Sequence, residues 1–115
     1  MTVDEVVQHC LAKPGAEETY PWGDAELVAK VSGKAFAFIG LTAGAVGVKC
    51  GADADEAREW RDRYPDDITA SAYIGRSGWN RVQLAGAVPG DDMLELLDAS
   101  YDAVVAKLPK SKRPM

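Results

Sequence analysis

Apolar positions along the chain recur at helical spacing, then alternate, then return to helical spacing, and this rhythm divides the sequence into its elements. Val3, Val6, Val7, Cys10 and Leu11 fall on one helical face. Thr2 with Glu5 three positions later is a capping box, each side chain satisfying a free backbone N–H of the other, and Pro14-Gly15 stops the helix. The acidic and aromatic run Glu17-Glu18-Thr19-Tyr20-Pro21-Trp22-Gly23 reads as a loop. Leu27 to Val31 and Ala35 to Leu41 read as strands joined by the tight turn Ser32-Gly33-Lys34. Simple alternation places Phe36 and Phe38 on one face of the second strand and Ile39 on the other. Thr42 to Gly47 reads as a flexible tip, and Val46 to Cys50 supplies a third strand.

The second half repeats the theme. Asp53 followed by Glu56 is another capping box, with Ala57, Trp60, Arg61 and Tyr64 sharing a face of a helix that ends before Pro65. Ile68 to Ile74 and Trp79 to Leu84 read as a second hairpin around the turn Gly75-Arg76-Ser77-Gly78. Pro89 opens the longest helix, whose stripe is Met93 or Leu94, then Leu97, Tyr101, Val104, Val105 and Leu108, and Pro109 ends it. The predicted order is α-β(3)-α-β(2)-α. Hairpin connections imply antiparallel pairing, so the expected fold class is α+β, two layers, with an antiparallel sheet packed against helices. One domain spans residues 1–109, and residues 110–115 form a basic flexible tail.

Composition narrows the function classes. The 115 residues are 47% hydrophobic and 27% charged, ordinary for a globular domain. A net charge of −5 argues against a generic polyanion binder, because phosphate contacts supply most nucleic-acid affinity. Positive charge gathers at Lys107, Lys110, Lys112 and Arg113. The opening MTVDEVVQHC carries acids and no long apolar run, which points to neither a signal peptide nor a membrane anchor and to a cytoplasmic protein. Cys10 and Cys50 have no metal-ligand spacing, and buried free thiols are the expected state.

Catalytic chemistry is hard to find. His9, the one histidine, lies beside the Val6-Cys10 stripe with no nucleophile assignable to it. No GxGxxG, P-loop, GxSxG, HExxH or CxxC pattern occurs. Asp91-Asp92 suits the first turn of a helix through the helix dipole, and Glu17-Glu18 offers too few converging oxygens for a hard cation. Neither a metal nor a cofactor is expected. The aromatic groups are more informative. Tyr20 and Trp22 serve either to stack on a ligand or to close one end of the core, Trp79 is a core anchor or a ligand contact, and Trp60 is a core residue. Arg76, Arg81 and the residues 110–113 form either a phosphate patch or solvated turn charges.

Tyr20-Pro21-Trp22-Gly23, Gly33-Lys34-Ala35-Phe36-Ala37, Val48-Lys49-Cys50, Trp79-Asn80-Arg81-Val82, and Ser100-Tyr101 through Leu108-Pro109-Lys110 follow one another in an order and spacing that resembles the MmcQ/YjbR-like family, from about Val3 to Arg113. The resemblance implies a fold similar to that of type III secretion chaperones and CyaY-like proteins. It also implies a DNA-binding role in which two hairpins act as a double wing. The wings here are the Lys30-Lys34 and Tyr73-Arg81 hairpins, with Lys30, Lys34, Lys49, Arg76 and Arg81 approaching duplex phosphates and Trp79 supporting them. Where relatives carry a histidine and then a cation-rich run ending in histidine, this chain reads Tyr73-Ile74-Gly75-Arg76-Ser77-Gly78, leaving fewer cations on that wing.

The leading expectation is a non-enzymatic binding domain, monomer or homodimer, that engages duplex DNA and no membrane. The alternative is a module for a protein partner or a small hydrophobic or aromatic ligand, in which Tyr20, Trp22, Tyr73 and Trp79 line an apolar cleft. The family name comes partly from an antibiotic gene cluster, so the resemblance also allows a drug-sequestering or resistance role.

Overall fold

Thr2 starts the first helix, α1 (Val3–Leu11), by the reciprocal bonds its spacing predicts: Thr2 N–H to Glu5 Oε1 at 2.9 Å and Glu5 N–H to Thr2 Oγ1 at 3.1 Å. The computed structural model describes residues 1–51, 54–72 and 74–114, with Arg76 described in its backbone alone. The second capping box, on Asp53, lies outside the described residues. After α1 come β1 (Ala16–Thr19), β2 (Glu26–Val31), β3 (Lys34–Gly40), β4 (Ala45–Lys49), α2 (Ala54–Arg63), β5 (Ile68–Ala70), β6 (Trp79–Gln83) and α3 (Gly90–Ala106). The described strands form one antiparallel sheet in the order β1-β2-β3-β4-β6-β5.

The α+β architecture stands, with one strand more than expected. Residues 16–19, read in part as loop, pair with β2 as an edge strand, Ala16 opposite Val31 and Thr19 opposite Val28. Its Glu17 and Glu18 are exposed, so the strand shows no apolar alternation, and charge on an edge is a common guard against strand addition. The order is α-β(4)-α-β(2)-α. The other shortened element is β5, which ends at Ala70 and not Ile74. The chain turns in there, with Ile74 N–H bonding Ala72 O at 2.8 Å before a 3-10 turn at Gly75–Ser77.

A bulge corrects the facing of β3. Ala29 pairs with Ala37 and Lys30 with Ala35, so Phe36 is the extra residue and the alternation changes phase there. Phe36 therefore joins Ile39 in the core, edge-on to Tyr101 at 5.1 Å, while Phe38 alone points to the opposite face. Ser100, buried on α3, mends the ladder where the bulge opens it. Its hydroxyl donates to Phe36 O at 2.6 Å and accepts Lys49 N–H at 2.8 Å.

The row Leu27, Ile39, Val46, Val82 and Ile68 runs across five strands and is buried against the helices. Val6 and Cys10 of α1, Ala57 of α2, and Met93, Leu96, Leu97, Tyr101 and Val104 of α3 complete this core. The helices thus cover one sheet face. Both thiols are free and buried as expected; burial pushes Cys10 up to about 12 and Cys50 to about 11. Asn80, fully buried, donates to Ala57 O at 2.9 Å and accepts from Arg61 at 2.7 Å, fixing α2 to β6. Residues 110–113, expected as a free tail, turn back onto the domain. Arg113 donates to the Ala106 and Leu108 carbonyls of the α3 end, both at 2.9 Å, and Ser32 donates to Lys112 O at 2.6 Å. Among the described residues no helix is long and apolar enough to cross a membrane.

Candidate binding cleft on the open sheet face

A sheet with helices on one side turns its other side to water, and that side ordinarily alternates polar. Here it does not. The rows facing away from the helices read Glu26, Gly40, Ala45, Gln83, then Val28, Phe38, Gly47, Arg81, Thr69. Their centre holds a cleft of about 480 Å³, within the usual range for small-molecule sites. Phe38, Gly40, Ala45 and Gly47 form its floor, Trp22 one wall, and Ser71, Ala72 and Ile74 the other.

Each wall has a local cause. Trp22 sits in the loop between β1 and β2, 70% exposed, with its ring stacked on Phe38 at 6.1 Å. Ile74 precedes the 3-10 turn and is 37% exposed. Leaving a tryptophan and an isoleucine this open keeps water on apolar surface at a cost of roughly 25 cal/mol per Å². The floor is low because two strand positions are glycine. Neither Gly40 nor Gly47 has positive φ, so backbone conformation does not demand glycine at either. A Cβ on Gly47 meets Phe38 Cβ at 3.4 Å, an ordinary contact, and anything longer projects into the cleft. Glycine inside a strand commonly marks the close approach of a ligand. Glu26 and Arg81 supply charge at the margins, and no ion pair is recorded for Arg81 among the described residues.

The residues expected to form an aromatic cleft separate. Trp22 lines it. Trp79 lies on the same face, half-buried and edge-on to Phe38 at 5.3 Å, but lines a second depression beyond that ring pair. Tyr20 is 42% exposed and gives its hydroxyl to Glu18, which raises its pKa. Tyr73 lies outside the described residues. Phe38, the aromatic partner of Trp22, was missed because alternation across the bulge assigned it to the face of Phe36.

The cations expected on two wings do not gather in one pocket. Arg81 lines the cleft, whereas Lys34 and Lys49 line the second depression. Lys30 lines neither and stands opposite Glu17 on β1. The side chain of Arg76 lies outside the described residues. His9, to which the sequence assigned no nucleophile, meets Asp98 Oδ1 of α3 at 2.7 Å, beside Lys13 on the same oxygen at 2.5 Å.

Comparison with known proteins agrees with this architecture. The YjbR family model matches residues 11–103. The chain is 31% identical to the Escherichia coli K12 "Uncharacterized protein YjbR" over 117 residues, covering 100% of this chain and 97% of that one. The crystal structure of Deinococcus radiodurans protein DR2400, described as a DUF419 domain, superposes with a TM-score of 0.86 at 30% identity, over 96% of this chain and 84% of that one. A Pseudomonas syringae protein of 16% identity shares the fold, with a TM-score of 0.68 over 87% of this chain and 96% of that one.

Proposed function

Given that the chain belongs to the YjbR family, we propose that it is a small-molecule binding domain whose open sheet face takes a planar, apolar ligand against Trp22 and Phe38. The observation that carries this reading is the apolar trough itself. A solvated sheet face has no reason to juxtapose a 70% exposed tryptophan, a phenylalanine and two strand glycines unless something covers them. Arg81, with no ion pair among the described residues, suits an acidic or carbonyl-bearing substituent on the ligand.

The cleft holds rather than transforms. Its lining combines apolar side chains with the Ser71 hydroxyl and, at the margins, one carboxylate and one guanidinium, a set that orients a ligand by shape and a few polar groups. A protein-partner role draws less support, since the trough is concave and bounded on both sides. The double-wing DNA role also draws less, since the chain carries a net charge of −5 and the expected cations Lys34, Lys49 and Arg81 are spread over two depressions and do not converge in one.

The test uses anilinonaphthalene sulfonate, a planar apolar anion, titrated into the full chain by fluorescence. Saturable enhancement is expected, with Trp22→Ala weakening it about tenfold and Gly47→Leu, which fills the floor, abolishing it. Wild-type enhancement that survives Gly47→Leu unchanged contradicts the proposal. The Leu variant's thermal melt shows whether its fold is kept.

A further inference from the structure

Past the Ala37–Val48 pair, β3 and β4 part because of the bulge at Phe36, and the gap opens a second depression of about 410 Å³. Lys34 and Ala35 from β3, Lys49 and Trp79 from the facing strands, and Val104, Lys107 and Leu108 from the end of α3 line it. Three lysines line this space, and among the described residues no Asp or Glu does.

Lys49 is the unusual member. It is 6% exposed, and its Nζ donates one hydrogen bond, to Ser77 O at 2.9 Å, leaving two donors of the ammonium unassigned among the described residues. Burial, followed by repulsion from the Lys107 ammonium, holds its pKa below the ordinary lysine value. Like charges packed together without a counter-charge are unfavourable, and an entering dianion relieves both effects at once. The carbonyls at the α3 end do not oppose an anion strongly here, because Arg113 already covers those of Ala106 and Leu108. Lys107 is therefore not needed to satisfy them.

We infer that this depression is a binding site for a phosphomonoester, its phosphate held by Lys34, Lys49 and Lys107 and its organic group lying against Trp79, Val104 and Leu108. Three cations match a dianion better than a single carboxylate. The position of Lys49 favours a small molecule over a duplex, since a phosphate on a wide cylinder does not reach a side chain that is 6% exposed. The site stands apart from the cleft, on the other side of the Phe38–Trp79 ring pair.

Phenyl phosphate titrated into the full chain tests this, read by calorimetry and by the indole N–H signals of Trp79 and Trp22. The expected result is saturable binding that moves the Trp79 signal and leaves that of Trp22 in place. Lys107→Glu, at an exposed position, should weaken binding by about tenfold or more, and Lys34→Ala by a similar factor. Lys30→Glu, outside the depression, should leave it unchanged. Absence of saturation in the millimolar range overturns the inference, as does equal loss in Lys30→Glu and Lys107→Glu, which reports a general field and not a site. Displacement of phenyl phosphate by a short DNA duplex, with steep salt dependence, also overturns it in favour of a backbone-tracking surface.

Discussion

Ser100 concentrates more structural consequence than its size suggests. One hydroxyl serves both the Phe36 carbonyl and the Lys49 N–H, the two ladder groups the bulge leaves without each other. Ser100→Ala strands both in a buried place, and the expected loss is about 2–4 kcal/mol, seen as a melting temperature lowered by roughly 8–15 °C. A melt within a degree or two of wild type contradicts that role. The two thiols give a second prediction, whose sign follows from burial. Thiols of ordinary pKa 9 ionise in the unfolded chain before Cys10, at about 12, and Cys50, at about 11, ionise in the fold. Stability is therefore intact below pH 9 and falls as pH rises above it, by about 1.4 kcal/mol per pH unit per thiol. Urea unfolding at pH 8 and pH 10 should show wild type losing about 2–3 kcal/mol more than a Cys10→Ala, Cys50→Ala variant; equal losses contradict it. Single residues were unevenly legible in the sequence. Buried cysteines follow from their type, whereas Ser100 and Asn80 do work that depends on which carbonyls the tertiary fold leaves open, and no local pattern announces that.

Among elements, α1 and α3 are clasped by Asp98, which accepts from both His9 and Lys13. Burial works to raise this carboxyl, and the two hydrogen bonds outweigh it and hold its pKa below the usual value. A lowered carboxylate pKa contributes stability that is present above the unfolded value and disappears as pH falls through the folded one. Because Asp98 is partly exposed, Asp98→Asn should cost only about 0.5–1 kcal/mol at pH 7, and the variant and wild type should converge as acid protonates Asp98 in the fold. A gap that persists in acid contradicts the ion-pair account. The periodic elements, namely the three helices, the first hairpin with its Ser32-Gly33 turn and the strands β4 and β6, were readable because half-buried elements print their period in the sequence. Two features were not. β1 is a charged edge strand stabilised by its neighbour alone, and the bulge on β3 reverses facing without altering composition. That reversal hid half of the candidate site, since it decides that Phe38 and not Phe36 stands beside Trp22.

For the molecule as a whole, one sheet face is sealed by helices and the other is open, apolar at its centre and bordered by cations that fall into two separate depressions. With a net charge of −5, this arrangement predicts no retardation of a short DNA duplex at physiological salt. A retarded complex that Lys34→Glu and Arg81→Glu abolish contradicts the division of the cations. The most direct measurement of the open face is a proton–nitrogen correlation spectrum of the full chain recorded with and without anilinonaphthalene sulfonate. The shifts should gather on the Gly40, Ala45 and Gly47 amides and the Trp22 indole, and leave the α1 and α3 amides still. Shifts centred on the helix layer, around His9 and Leu94, would place the ligand on the wrong side of the sheet and contradict the account.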